Sequence, residues 1–485
     1  MNIAHLKAKI LDLAVRGKLT EQRPEEGSAE ELLERIREEK QRLIAEGKLK
    51  KEKPLPEITE DEIPFNIPAG WKWVRLGEIG TWQAGCTPDT TRKDFYENGT
   101  IPWINSADLT DGYIDTITHY VTEKAFAEKK MRLNKTGAVC VAMYGATIGK
   151  TGILTVDATT NQAVCVCNLL SSMDSKYLFY FLQFHKPFFV MKGFGGAQPN
   201  ISKEKIENTP FPLPPLAEQK RIVEKIEAIF KQADIIEENR LALKTAVRHT
   251  KSRVLDLAIR GKLTEQRPEE GSAEELLERI REEKQRRIAE GKLKKEKPLP
   301  EITEEEIPFD IPAGWKWVRL GSYLDVRDGT HDSPKYYSQG IPFVTAKNLR
   351  NGEIDFSTCS YISESDHRKF SERSFVEDGD ILMAMIGSIG NPVIVKKDRN
   401  FSIKNVLLLK RYALEYTNMK YVYYFFYYMQ DILGKNARGG VQRFVGLNSF
   451  RELLFPLPPL AEQKRIVEKI EQIFDTLDTI EKAVE

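Results

Sequence analysis

Residues 211–219 read Phe-Pro-Leu-Pro-Pro-Leu-Ala-Glu-Gln, and the same residues return at 455–463. The identity continues through Glu227 and Glu471 at a constant offset of 244. A second block obeys the same offset: residues 16–77, ending Trp71-Lys72-Trp73-Val74-Arg75-Leu76-Gly77, recur at 260–321 with only Leu43/Arg287, Asp61/Glu305 and Asn66/Asp310 changed. Between these frames lie 78–210 and 322–454, whose sequences have little in common. A fixed frame around variable content is a duplicated architecture whose two copies carry different surfaces.

The phase of the repeat adds geometry. Residue 485 corresponds to 241 and residue 1 to 245, so the chain is three repeat positions short of closing on itself. Over 216–260, Ile222, Ile226, Ile229, Ala233, Ile236, Leu243, Val247, Val254 and Leu257 keep a 4-3 rhythm broken only at Arg240 and Thr250. Such a rhythm is the seam of a coiled coil. It reappears at Ile466, Ile470, Ile473, Leu477, Ile480 and Val484, and resumes at Ile3, Leu6, Ile10 and Leu13. Two terminal half-helices therefore imitate one central helix, which at 1.5 Å per residue spans roughly 65 Å and reads as a spacer.

The predicted organisation is α/β (α+β), with two pseudo-symmetric domains joined by two long antiparallel coiled-coil helices. Residues 1–17 form the first half of the distal spacer helix, 18–70 a charged helical arm and linker, 71–210 the first variable domain and 211–261 the central spacer. Residues 262–314 repeat the arm, 315–454 form the second variable domain, and 455–485 complete the distal spacer. In the arm, Ser28 and Glu31 make a capping box, and Gly47 stops the helix that follows. Ser272 and Glu275 repeat it. Leu32, Leu33, Ile36 and Ile44 give only a narrow apolar stripe, and 48–56 is a charged, Pro-stiffened linker. The arm is either a solvated helix or a docking element, and two copies would supply two equivalent docking sites.

Composition restricts the function classes. Lys plus Arg total 73 against 72 Asp plus Glu in 485 residues, so any nucleic-acid surface must be local. Cys86, Cys140, Cys165, Cys167 and Cys359 form no Cys-x-x-Cys pair, and with six histidines there is no metal-ligand spacing. Reduced thiols, a start without an apolar signal core and the lack of a bilayer-length apolar run predict a cytoplasmic protein away from membranes.

The variable segments share a skeleton. Ile101-Pro102-Trp103-Ile104-Asn105 answers Ile341-Pro342-Phe343-Val344-Thr345, and the run 138–143 leading to Gly145-Ala146-Thr147-Ile148-Gly149 answers 381–385 leading to Gly387-Ser388-Ile389-Gly390. Both are strand-then-glycine-turn patterns. An aromatic helix follows in each, then Gly195-Gly196-Ala197-Gln198 or Gly439-Gly440-Val441-Gln442. Lys plus Arg against Asp plus Glu is 13 to 13 in 78–210 and 18 to 15 in 322–454, so charge alone does not mark a DNA reader. Loop side chains able to hydrogen-bond base edges or phosphates do fit that task. The candidates are Asn105, Ser106, Thr147, Lys150, Asn161, Gln198 and Asn200 in the first segment, and Thr330, Lys347, Asn348, Ser388, Lys404, Arg438, Gln442 and Arg443 in the second.

Catalytic patterns fail by spacing. The stretch from Gly145 to Thr151 has three residues between its glycines where a P-loop requires four, and its twin ends Gly390-Asn391-Pro392. Pro88-Asp89 with Glu128-x-Lys130 has no counterpart in the second segment, Asn391-Pro392 is followed by Val393, and no Gly-x-Gly-x-x-Gly occurs. The chain is expected to be non-catalytic by itself, with no bound metal or cofactor.

The paired Gly-Trp-x-x-x-x-Leu-Gly motifs at 70–77 and 314–321, the two Leu-Pro-Pro-Leu-Ala-Glu-Gln helix starts at 213–219 and 457–463 and the half-repeat arrangement resemble the specificity subunits of type I restriction-modification systems. The resemblance covers essentially the whole chain. It implies two target-recognition domains, each reading one half of a bipartite double-stranded DNA site, with antiparallel helices as the ruler between them. It also implies two adenine-methylating subunits carrying S-adenosylmethionine and two translocase-nuclease subunits using ATP and Mg2+. The competing expectation is a coiled-coil scaffold whose globular ends bind proteins.

Overall fold

The computed structural model describes residues 2–51, 53–170, 172–193, 200–387, 389–436 and 444–484. The chain divides into two units, Met1–Asn239 and Arg240–Glu485. In the first unit, α1 (Ile3–Val15) is capped by Asn2, and α2 (Ala29–Ala45) by Ser28, whose hydroxyl accepts the Glu31 amide at 3.3 Å. There follow β1 (Lys72–Arg75), β2 (Gly80–Ala84), β3 (Ile101–Ile104), β4 (Gly112–Ile114), β5 (Tyr120–Val121), α3 (Glu123–Glu128), β6 (Val139–Ala142), β7 (Thr151–Leu154), β8 (Thr159–Thr160), β9 (Val164–Leu169), α4 (Ser175–Gly193), α5 (Lys203–Glu207) and β10 (Pro210–Leu213). The 44-residue α6 (Leu216–Ile259) begins in this unit and ends in the next.

The second unit continues with α7 (Ala273–Ala289), β11 (Lys316–Arg319), α8 (Leu320–Tyr323), β12 (Leu324–Asp328), β13 (Ile341–Val344), β14 (Leu349–Arg350), β15 (Glu353–Ile354), β16 (Ser360–Ile362), α9 (Glu364–Ser374), β17 (Ile381–Ala384), β18 (Gly390–Ile394), β19 (Ser402–Ile403), β20 (Val406–Arg411), α10 (Met419–Asn436), α11 (Leu447–Arg451), β21 (Leu454–Leu457) and α12 (Leu460–Ala483). The main sheets are ordered β2-β9-β6-β7-β4 and β12-β20-β17-β18, the small ones β5-β3-β8 and β16-β13-β19. Both units are thus the same mixed α and β plan, as the divergent segments with a common skeleton predicted.

The unbroken apolar runs of the central strands have a physical cause: both faces are covered. Val139 and Val141 of β6 face the core shared with α4, while Cys140 and Ala142 face the core under the small sheet. Ile381 and Met383 of β17 divide from Leu382 in the same way. Burial lifts the Cys140 thiol above its usual range, so it behaves as a small apolar side chain.

The repeated motifs build the base of each unit. β1 pairs antiparallel with β10, and β11 with β21, so Trp73 lies opposite Pro212 and Trp317 opposite Pro456. Glu218, from the Leu-Ala-Glu-Gln motif, is only 2% exposed and accepts hydrogen bonds from Trp71 Nε1 at 2.8 Å, Gln22 Nε2 at 2.7 Å and Thr20 Oγ1 at 3.2 Å. Glu462 takes the same three bonds from Trp315, Gln266 and Thr264. Gln219 is fully buried, and its amide donates to the Pro214 carbonyl at 3.0 Å. The motif is a junction that locks helix, strand and chain start together.

Within the first unit α1 runs antiparallel to the start of α6: Lys7 pairs with Asp234 at 2.5 Å, whereas Thr20 meets Glu218. Within the second, α6 and α12 do the same, with Lys251 on Asp478 and Thr264 on Glu462. Each of these pairs maps onto its twin by 244, so α1 occupies the role of the last turns of α6, and α12 that of its first turns.

The seam needs one correction. Ile222, Ile226, Ile466 and Ile470 are fully buried and Ile10 nearly so, while Ile229, Ile473, Ile3, Leu6 and Leu13 are half-buried. Ile236 and its equivalent Ile480 are 46% and 40% exposed. Ala233 is buried, as are the later seam residues Val247 and Val254, with Leu243 and Leu257 half-buried; beside them Glu237, Lys244 and Lys251, with Glu481 in α12, are half-buried too. Lys251 covers its stem while its head finds Asp478. A count of apolar residues cannot see such a row.

The arm is not a free helix. Ala29, Leu32, Leu33 and Ile36 of α2 are buried in the same core as Trp71 and Val74. Arg75, 3% exposed, staples the linker: it donates to the carbonyls of Pro56 at 3.0 Å and Glu57 at 2.8 Å and grips both carboxylate oxygens of Glu62. Arg319 does this with Pro300, Glu301 and Glu306. The Arg75 guanidinium holds the Glu62 carboxyl down to about 2.

Candidate nucleic-acid interface

In the first unit the ends of β2, β3, β6 and β8 and the start of β9 converge on one rim of the main sheet. Backbone bonds stitch the loops there: Gly85 N to Val164 O, Cys86 N to Thr160 O, Asn161 N to Ile104 O, Met143 N to Ala163 O and Ile201 N to Met143 O. The crossing at Gly85 is so tight that a Cβ would lie 2.0 Å from the Thr160 carbonyl oxygen. Gly329, 244 residues on, meets the Ile403 carbonyl oxygen at 2.4 Å in the same sense. That offset was a usable signal within segments that otherwise diverge.

The rim gathers several predicted residues. Asn161 Nδ2 donates to Asn105 Oδ1 at 3.0 Å, and Asn161 Oδ1 accepts the Ala163 amide at 3.1 Å. Both asparagines are half-buried, as is Ser106 in the short turn that Asn105 starts. Thr147 Oγ1 donates to the Tyr144 carbonyl at 3.0 Å, Lys150 is half-buried, and exposed Asn200 forms a strand bridge with Tyr144. Tyr144 itself, 41% exposed, is a rim aromatic that sequence reasoning passed over.

The second unit builds the same rim with different chemistry. Thr330 bridges Lys404, whose Nζ reaches Ser333 Oγ at 2.6 Å. His331 sits between Asp328 Oδ2 at 3.0 Å and Asn405 Oδ1 at 2.6 Å, and Arg373 also binds Asp328, which is 3% exposed. Asn405 adopts φ 53°, a left-handed turn that asparagine tolerates. His331, Asn405 and Arg373 were missed because they lie far apart in sequence, although Gly329-Thr330-His331-Asp332 is a polar stretch next to a strand end. Lys347 is exposed.

One candidate must be withdrawn. Asn348 is 3% exposed; its Oδ1 accepts from Thr345 N and Oγ1, both at 2.9 Å, and its Nδ2 donates to Asp355 O at 3.2 Å and Thr358 Oγ1 at 3.1 Å. With every hydrogen-bonding atom engaged internally it organises the loop and has nothing left for a base. Gln198, Ser388, Arg438, Gln442 and Arg443 lie outside the described residues. Among the described residues no group of three or more His, Cys, Asp or Glu could hold a metal, and no helix is long and apolar enough to cross a membrane.

The sequence profile of one family, the type I restriction modification DNA specificity domain, matches residues 68–245 and 312–485, once in each unit. The chain belongs to this family. It is 29% identical to the EcoAI specificity subunit of Escherichia coli, over 99% of this chain and 90% of that one. It is 28% identical to the EcoEI specificity subunit of the same species, over 100% and 91%. Among solved structures, the HsdS subunit from Thermoanaerobacter tengcongensis superposes with a TM-score of 0.53 at 18% identity, covering 87% of this chain and 93% of that one. A chain solved in work on complex assembly and conformational transition of the type I R-M system gives 0.60 at 20% identity, covering 87% and 94%. These likenesses show the shared fold. The two profile matches take in both rims and both Leu-Ala-Glu-Gln junctions and leave out the arms up to residue 67 and from 246 to 311.

Proposed function

We propose that this specificity-domain protein is the DNA-reading subunit of a type I restriction-modification complex, each unit reading one half of a bipartite site. The observation that carries this reading is the combination of an identical base with unlike rims. Polar side chains with amide, hydroxyl and amino groups stand at the rim of each sheet, where they can meet base edges in a major groove. Asn105, Asn161 and Asn200 would read one half-site, and Thr330 and Lys404 the other. Half-sites about one helical turn apart, near 34 Å, suit the helical spacers, which then set how many base pairs are left unread.

The chemistry belongs to partners in this reading. Two methyltransferase subunits carrying S-adenosylmethionine dock on the frame and extrude an adenine in each half-site, and two translocase-nuclease subunits use ATP and Mg2+. The chain itself binds and orients DNA in the cytoplasm. Sequencing the methylated motifs of cells carrying this chain and its methyltransferase tests it. Asn105→Ala with Asn161→Ala should relax one half of the motif only, and Thr330→Ala with Lys404→Ala the other half only. Loss of both halves together, or of neither, would refute the division of labour.

A further inference from the structure

A buried carboxylate of the second unit stands where the first unit has none. The glycine crossings after β2 and β12 are built alike, at Gly85 and Gly329, yet the last strand residue before them is Ala84 in one and Asp328 in the other. The first unit therefore folds this strand end without a charge. Asp328 is 3% exposed, and burying a carboxylate is costly unless it is paired and hydrogen-bonded. Both of its oxygens are engaged, Oδ2 with His331 Nε2 at 3.0 Å and Oδ1 with Arg373 Nη2. His331 Nδ1 meets Asn405 Oδ1 at 2.6 Å, which ties the pair to the turn beside Lys404. The Arg373 side chain, in the last turn of α9, stays 57% exposed. Its carbonyl accepts Arg327 Nη1 at 3.0 Å, and one turn earlier Lys369 pairs with Asp332 at 3.3 Å, so α9 is moored to the 328–332 loop at both points.

We propose that Arg373 is a backbone-phosphate contact of the second half-site, and that Asp328 and His331 are positioning residues that aim it. This rests on the DNA-reading function proposed above. The carboxylate lies inside the protein with its charge matched by the guanidinium, whose remaining N–H donors form a fork that fits a phosphate. An arginine held in one geometry before DNA arrives has less freedom to lose on binding than a loose one. A phosphate suits the site better than a base. Arg373 and Lys369 follow one another a turn apart on α9, and Lys404 stands across the Thr330 bridge, so the cations are spread out where a DNA backbone can track them. Such contacts fix register and orientation and carry no sequence information of their own. Arg373 therefore serves the second half-site whichever bases Thr330 and Lys404 meet.

The test uses the full chain with its methyltransferase subunit, titrated by fluorescence anisotropy onto a duplex carrying the methylated motif and onto a scrambled one, over a series of salt concentrations. Arg373→Ala should weaken binding to both duplexes alike and lower the slope of log affinity against log salt by about one, with the methylated motif unchanged. Arg368→Ala removes the same charge elsewhere on α9, where Arg368 pairs with Glu364, and should leave the slope as it is. Asp328→Ala separates aiming from bulk charge. Removing an acid should tighten DNA binding if only net charge counts, whereas loss of the aimed arginine should weaken it. Where a single variant fails to fold, Asp328→Ala with Arg373→Ala copies the first unit's Ala84, leaves no carboxylate unpaired, and should show the same lost slope. An unchanged slope in Arg373→Ala, an equal drop in Arg368→Ala, unchanged or tighter binding in Asp328→Ala, or a relaxed base in the methylated motif would each overturn the inference and leave the DNA-reading proposal standing. A wild-type complex that does not distinguish the two duplexes would overturn that proposal, and this one with it.

Discussion

Glu218 and Glu462 are each buried beneath a tryptophan, a glutamine and a threonine that donate to them. Removing the carboxylate strands those donors, so Glu218→Ala should cost about 2–3 kcal/mol. Urea unfolding monitored by tryptophan fluorescence would show it, and Glu218→Gln, which keeps one acceptor, should lose less. Glu62 acts through pH instead. Its carboxyl is held from an ordinary 4.5 down to about 2, first by the Arg75 side chain. A depressed folded value means the stabilisation is complete above about pH 4.5 and drains away as pH falls toward 2. Glu62 is about a third exposed, which keeps the effect modest. Acid titration followed by circular dichroism should therefore show a shallower slope in Glu62→Gln over that window. Glu306 is shifted in the same direction, first by the Thr303 amide, so the double variant should be flatter still.

At the scale of the helices, burial separates neighbours that the heptad pattern treats alike. Ile226 is fully buried where α6 meets α1, and its truncation to Ala should cost about 2–5 kcal/mol in chemical denaturation. Ile236→Ala, at a position 46% exposed, should cost less than about 1 kcal/mol. Equal losses would restore the seam as the apolar spacing draws it. The periodicity was legible because 3.5-residue repeats survive any change of side chain outside them. The exposure of Ile236 within it was not, because Glu237 and Lys251, which count as polar in sequence, share the covered face with Val247 and Val254.

For the whole molecule, the spacer reading predicts that inserting four residues after Ile229 and again after Ile473 lengthens the unread gap in the methylated motif, and an unaltered motif would refute the ruler. The duplication, the mixed fold, the helix pairs and the family could all be read from the sequence, since each rests on an offset or a period that local chemistry repeats. Which polar side chains stand together could not. Asn105 finds Asn161, and Asp328 finds His331 and Arg373, only when strands distant in sequence end on one rim, and Asn348, of the same residue type as Asn105, turns inward to satisfy its own loop. Repetition and spacing are properties of the chain, whereas the exposure of a hydrogen-bonding group depends on what packs around it, and that was decided only by the folded backbone.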